Sequence, residues 1–358
     1  MVALGAAVLV SLPVAVGALP ARSDRRSADE LAAAVRRSAA VGYSGYAEAF
    51  GGLSLPLTDD FSTLTDLFGD RTRLRVWWRD REDWRVDTVQ PTGEAGLHRD
   101  VEGLWTWEYE RGTALRTTDP AVRLPRPADL EPAALGRRLL SEARPAELSR
   151  LPARRVANRN APGVRLRPAD PGGTVDRADV WVDGATGVPL RVEVHGTGAA
   201  RPVVETSFLD FSAERPAAST TRFSPPYPGR VRRELNPDLA ASINVFSPVV
   251  PPLELAGLPV RTRVEGLGSV GTYGTGLTVL VAVPLPGRVS RPLREQLSGT
   301  PGITVTGQGI RLTAGPLSLL LTDPPGRRSW LLTGTVSATT LDRAAAEIGA
   351  NPPVEEPR

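Results

Sequence analysis

Residues 178–196 read ADVWVDGATGVPLRVEVHG, and the alternation within them decides the fold. In the first arm Val180 and Val182 alternate with Asp179, Trp181 and Asp183; in the second, Leu190, Val192 and Val194 alternate with Arg191, Glu193 and His195. Period-two alternation on both sides of a turn containing Asp183, Gly184 and Gly187 predicts a β-hairpin with one buried face. Asp179 and Asp183 then fall on the opposite, wet face, where solvated acids are ordinary and general acid/base work is not expected of them.

Upstream, the same pattern repeats with larger side chains. In residues 74–89, LRVWWRDREDWRVDTV, Leu74, Val76 and Trp78 share one face, and Trp84, Val86 and Thr88 share a face of the next strand. After Gly103, Trp105, Trp107 and Tyr109 point one way and Leu104, Thr106 and Glu108 the other, so five of the seven tryptophans lie between Trp77 and Trp107. Large rings on neighbouring strands pack as core or line an apolar ligand cavity; so many on one side of a curved sheet favour the cavity. Its expected wall is Val76, Trp78, Trp84, Val86, Trp105, Trp107 and Tyr109, joined by Val180, Val182, Leu190 and Val192 of the hairpin. Ser27 with Glu30 predicts a capped helix that ends near Gly42, and a strand follows over Tyr43 to Phe50. Helices are also expected near Phe61–Phe68 and over 132–148, where Leu135, Leu139, Leu140 and Leu148 follow Pro132. A strand ending in Phe208–Phe211 closes this unit.

Prolines 225, 226, 228, 237, 248, 251 and 252 mark residues 216–252 as a linker, with a short helical piece near 239–243. Strands resume at 277–283, near 303, at 317–322 and at 329–336, and a helix from Ser337 to Gly349 ends a second unit. The expected organisation is a unit over 22–215, the linker, a smaller α+β unit over 253–350 and a tail over 351–358. Strands and helices do not alternate as a parallel sheet requires, so the class is α+β. Residues 2–21 are uncharged and apolar and are followed by Arg22, Asp24, Arg25 and Arg26, which suits a signal peptide or a membrane anchor and an extracytoplasmic location.

The residue inventory excludes much chemistry. The 43 basic residues are all arginine, and the formal charge is only +3, a poor basis for nucleic-acid binding. Without cysteine there are no disulfides or thiolate sites, and without lysine no Walker A loop or serine–lysine dyad. Only His98 and His195 are present, too few for a three-histidine zinc site; both are expected on the surface. No GxSxG elbow occurs. The GxGxxG of Gly266, Gly268 and Gly271 is followed by more glycine and a strand, so it reads as a turn, and no cofactor is expected.

The segment DVWVDGATGVPLRVEV with the later FLDF, the preceding WRVD and WTWEY and the leucine-rich helix resembles the N-terminal domain of the RseB/MucB family, relatives of the lipoprotein carrier LolA, in an actinobacterial form. The resemblance covers residues 27 to about 215 and, more weakly, the C-terminal unit. It implies an unclosed antiparallel β-barrel with helices plugging its concave side. It implies a non-enzymatic function: binding the extracytoplasmic part of an anti-sigma factor or a similar membrane protein, with a lipid or acyl chain as a second ligand. The alternative it leaves open is a LolA-like carrier of lipids or lipoproteins. No site residue carries over by motif, and the oligomeric state stays open.

Overall fold

The computed structural model describes residues 21–22, 24–51, 71–90, 93–101, 103–117, 125–225, 229–233, 248–261, 268–323 and 328–353. The apolar run at 2–20, the helix expected at 61–68 and the helical piece at 239–243 lie outside the described residues.

Helix α1 (Ala28–Arg37) begins where expected. The Ser27 side chain accepts from the Glu30 N–H at 3.1 Å, and the Glu30 carboxylate accepts from the Ser27 N–H at 2.6 Å, satisfying two otherwise orphaned donors. Strands β1 (Tyr43–Gly51), β2 (Arg71–Asp80), β3 (Asp83–Gln90), β4 (Gly93–Asp100), β5 (Gly103–Glu108) and β6 (Thr113–Thr117) form a meander, with β1 and β2 as neighbours. A 3-10 turn (Pro127–Leu130) and helix α2 (Pro132–Leu140) interrupt the strands. The helix expected over 132–148 is shorter than predicted: it ends at Leu140, and Leu148 opens β7 (Leu148–Val156). Strand β8 (Arg159–Leu166) returns across a turn in which Ala157 and Asn158 have φ of 46° and 59°, the twist that tight hairpins favour. The decisive hairpin is β9 (Val175–Val182) and β10 (Pro189–Gly196), and β11 (Val204–Ser212) follows.

Within the stretch expected as a linker, the short helix α3 (Ala218–Thr221) lies against β2, β3 and β4, and β12 (Arg230–Arg233) pairs with β6. The large sheet has twelve strands in the order β12-β6-β5-β4-β3-β2-β1-β11-β10-β9-β8-β7, antiparallel except at β12/β6. Its end strands β12 and β7 do not pair, so the barrel is unclosed.

The remaining chain forms a small hairpin, β13 (Glu254–Leu255) with β14 (Leu258–Pro259), and a six-stranded sheet. That sheet holds β15 (Gly271–Tyr273), β16 (Leu280–Pro286), β17 (Thr304–Thr306), β18 (Gly309–Ala314), β19 (Leu317–Thr322) and β20 (Arg328–Gly334), ordered β15-β16-β20-β19-β18-β17. Helix α5 (Ala338–Ala350) packs Leu341, Ala344, Ala345 and Ile348 with Leu280, Leu320 and Leu332 of the sheet. Helix α4 (Gly287–Ser298) buries Leu297 in a separate cluster with Leu285, Ile310 and Leu321. Main-chain bonds join the two sheets: Thr174 N–H to the Thr335 carbonyl at 3.1 Å and Ser337 N–H to the Gly172 carbonyl at 2.8 Å. Leu277 reaches into the cluster formed by α1 and strands β8 to β10.

Candidate ligand-binding face

Cross-strand register assigns each predicted wall residue to a face, because directly paired residues of neighbouring strands project to the same side. Val76 pairs with Gly45 and Val86; Trp78 pairs with Tyr43 and Trp84. Ala49 pairs with Thr206, which pairs with Val192 and, through it, Val180. Val76, Trp78, Trp84, Val86, Val180 and Val192 therefore share one face, here termed inner, and period-two alternation adds Val182 and Leu190. Leu130 and Ala133, from the 3-10 turn and α2, join Leu74, Val76, Val86 and Leu190 in the same core cluster. Helix α1 covers the hairpin end of this face, where Leu31, Ala32 and Val35 meet Val180, Val182 and Val192.

The other predicted wall residues lie elsewhere. Val86 pairs with Leu97 and Leu97 with Thr106, while His98 pairs with Trp105 and Gly96 with Trp107. Trp105, Trp107 and Tyr109 therefore occupy the outer face, opposite Trp78 and Trp84. Tyr109 is half-exposed, and its hydroxyl accepts from Arg85 at 2.8 Å. Phe223 covers Trp105, Trp107 and His98, with ring centroids at 5.3, 6.0 and 4.9 Å. The strap beyond β11 thus seals the outer aromatic patch, and the single concavity wall expected from sequence is two aromatic sets separated by the sheet.

On the inner face the rings form a column. Trp78 stacks on Tyr43 at 6.0 Å and on Trp84 at 6.2 Å, with interplanar angles of 9° and 10°. Their indole N–H groups are bonded to the Ala39 and Arg81 carbonyls, and both tryptophans remain partly exposed. Beside the column lies a buried polar group that sequence reading did not identify. Glu131 caps α2, accepting from the Ala133 N–H at 3.0 Å and the Ala134 N–H at 2.5 Å, and takes the Tyr43 O–H at 3.2 Å. Arg137 donates to the Tyr43 hydroxyl at 3.2 Å and lies 4.3 Å from the Trp78 ring centroid. Burial pushes the Glu131 carboxyl above its ordinary range despite Arg137 and these bonds, and it also pushes the Tyr43 hydroxyl up. The recoverable signal was Glu131-Pro132, an acid at an N-cap before proline.

The hairpin acids are not on a wet face. Asp179 and Asp183 are 3% and 2% exposed. Arg165 binds Asp179 through two bonds of 2.6 and 2.7 Å, and Arg159 binds Asp183 at 2.9 and 3.1 Å. Neighbouring strands supply guanidinium groups whose stems cover the acids, so alternation correctly assigned the face but not its solvation. Burial alone would raise the Asp183 carboxyl; the bonds from Arg159 and Thr186 outweigh it and hold the carboxyl below its ordinary range. Trp181 shares this face and is buried too, donating to the Pro152 carbonyl at 3.1 Å.

Both histidines are buried rather than at the surface. His98 Nδ1 lies 3.2 Å from the Thr221 carbonyl, which can only accept, so Nδ1 carries the proton. Burial lowers the tendency of this ring to take a second proton. His195 Nδ1 faces an Arg177 nitrogen at 3.1 Å, a donor only, so its proton sits on Nε2, 3.5 Å from Glu193. Asp179, Glu193 and His195 bring one donor atom each within 4.8 Å of one another. Arg165 occupies the Asp179 oxygens, Arg191 and Arg154 bind Glu193, and the Nε2 lone pair of His195 is protonated, so this group is an arginine–carboxylate ladder rather than a metal-ligand set. In the glycine motif, Gly266 lies outside the described residues, and Gly271 opens β15, so among the described residues a strand and not a helix follows the motif.

The fold is an unclosed antiparallel barrel with an apolar inner face partly capped by helices, joined to a smaller α+β unit. That is the fold of MucB. The structure of MucB in complex with MucA(peri) superposes with a TM-score of 0.50 at 15% identity, covering 89% of this chain and 97% of MucB. A Pseudomonas aeruginosa MucA/MucB complex gives 0.48 at 15% identity, covering 89% of this chain and 96% of that one. A LolA superfamily protein from Nitrosomonas europaea gives 0.26 at 12% identity, covering 55% of this chain and 98% of its own length. No protein-family model matches the sequence, and no curated protein matches it significantly.

Proposed function

We propose that this chain is an exported, non-enzymatic binding protein, an RseB/MucB-like regulator that holds an anti-sigma factor or a similar membrane protein and takes a lipid or acyl chain on its inner face. The observation that carries the reading is the inner face itself. Its aromatic column and valine-rich floor are capped only in part, leaving Trp78 and Trp84 accessible to an apolar ligand. The likeness in fold to MucB, solved with MucA(peri) bound, supports a protein partner. The apolar run at 2–21 supports export; among the described residues no helix is long and apolar enough to cross a membrane. A non-enzymatic role is supported by the arginine pairing of the hairpin acids. We read the two sheets as the cores of two domains, the larger running from 22 past 215 to take in β12 of its own sheet and the smaller over 253–350. Carriage of lipids or lipoproteins is the second reading, favoured by the same apolar floor.

Native mass spectrometry of the protein isolated from its own envelope tests both. A complex with a fragment of a single-span membrane protein is expected; a stoichiometric acyl lipid alone favours the carrier; the bare chain, with neither adduct, contradicts both.

A further inference from the structure

Arg137 is incompletely answered by its neighbours. Its side chain is 12% exposed, and Nη2 reaches the Tyr43 hydroxyl at 3.2 Å but only approaches Glu131, at 3.9 Å. Both Glu131 oxygens are already engaged by the first turn of α2 and by Tyr43. Nη1 is buried and meets no hydrogen-bond partner among the described residues. A guanidinium N–H left unmet in a low-dielectric setting is costly, so an oxygen acceptor placed there is strongly favoured. The guanidinium carbon of Arg137 sits over the face of Trp78, which continues into Trp84 through a stacked pair whose polar edges are already bonded. The juxtaposition is a single cationic donor at one end of a flat apolar track.

We infer that Arg137 Nη1 is the head-group site of the inner face, and that its ligand is an amphiphilic monocarboxylate whose chain lies along Trp78 and Trp84. The Glu131 carboxylate next to the guanidinium disfavours a dianionic head such as a phosphate monoester, because like charges at short range in a partly buried site repel. A single carboxylate adds one charge, and Arg137 meets it through the donors that its own neighbours leave free. The chain needs no polar partner on the way, since the indole N–H groups are satisfied by backbone.

This inference rests on the inner face being a ligand wall, as proposed above, and its test separates the two. Binding of dodecanoate and of 1-dodecanol to the full chain is followed by tryptophan fluorescence at neutral pH. The wild type is expected to bind dodecanoate about ten- to a hundredfold more tightly, the range for one hydrogen bond between charged groups in a partly buried site. Arg137→Gln is expected to lose the preference for the acid over the alcohol, and Arg137→Lys to retain part of it. Equal binding of acid and alcohol by the wild type overturns the head-group site while leaving the ligand wall intact, and this arm needs no variant to fold. An undiminished preference in Arg137→Gln also overturns it. Binding of neither compound overturns both the site and the wall.

Discussion

Replacing Asp183 by alanine separates a solvated acid from a structural one. At 2% exposure the carboxylate accepts four bonds: from Arg159 Nε at 2.9 Å and Nη2 at 3.1 Å, and from the Thr186 N–H at 3.0 Å and hydroxyl at 2.7 Å. The two Thr186 bonds contribute about 1 kcal/mol each, and their loss leaves a turn N–H unpaired. The Arg159 side chain is 35% exposed and can turn to water, so its pair is discounted for screening to about 1 kcal/mol. The expected destabilisation is therefore about 3 kcal/mol, whereas a surface acid would cost less than about 0.5 kcal/mol. Asp183→Asn keeps the acceptor for Thr186 and should lose about a third as much. The assay is urea unfolding followed by tryptophan fluorescence, which reports on the large sheet because every tryptophan but Trp330 lies there. The pH dependence supplies a second check. The folded carboxyl titrates below its unfolded value, so its contribution is present above about pH 4 and is lost as pH falls through the folded value. Wild type and Asp183→Ala should therefore converge in acid. A change below about 0.5 kcal/mol at neutral pH refutes the buried-acid account.

The other prediction concerns the strap. Burial holds His98 neutral in the fold, so stability is full above the ordinary histidine value of about 6.5 and declines as pH falls below it, because the unfolded chain takes up the proton first. Fluorescence of Trp105 and Trp107 should change at lower pH, once the folded His98 ring itself takes up the proton and the contact with Phe223 loosens, and Phe223→Ala should already show the acid-form spectrum at neutral pH; an unchanged spectrum in the variant would mean that the strap does not seal the patch.

Much of this architecture was legible from local pattern. The capping box at Ser27, the hairpin at 178–196 and the alternation in β2, β3 and β5 reported on neighbours close in sequence, where side-chain period fixes the face. Three features were not legible, each because it depends on residues far apart in the chain. The burial of Asp179 and Asp183 comes from Arg165 and Arg159 on the adjacent strand. The division of the tryptophans between two faces depends on register across β3, β4 and β5, which alternation within one strand does not reveal. The Tyr43–Glu131–Arg137 group brings together β1 and α2, 88 positions apart at its Tyr43–Glu131 bond. Helix α4 escaped notice for a local reason: Pro292 stands inside GRVSRPLREQLS and breaks the pattern that marks a helix. Strands β7 and β8 hid behind Pro152 and Pro162; β7 is an edge strand, where proline leaves no ladder bond unmade on the open side.

The claim that ligands are met on the inner face, and not on the outer tryptophan patch, is tested most directly by two substitutions read side by side. Binding of a fluorescent acyl probe to Trp84→Ala and to Trp107→Ala, each compared with the wild type, should show roughly two- to tenfold weakening for Trp84→Ala and no change for Trp107→Ala, since losing one aromatic contact costs about 0.5–1.5 kcal/mol. Weakening confined to Trp107→Ala would place the ligand under Phe223 and contradict the account.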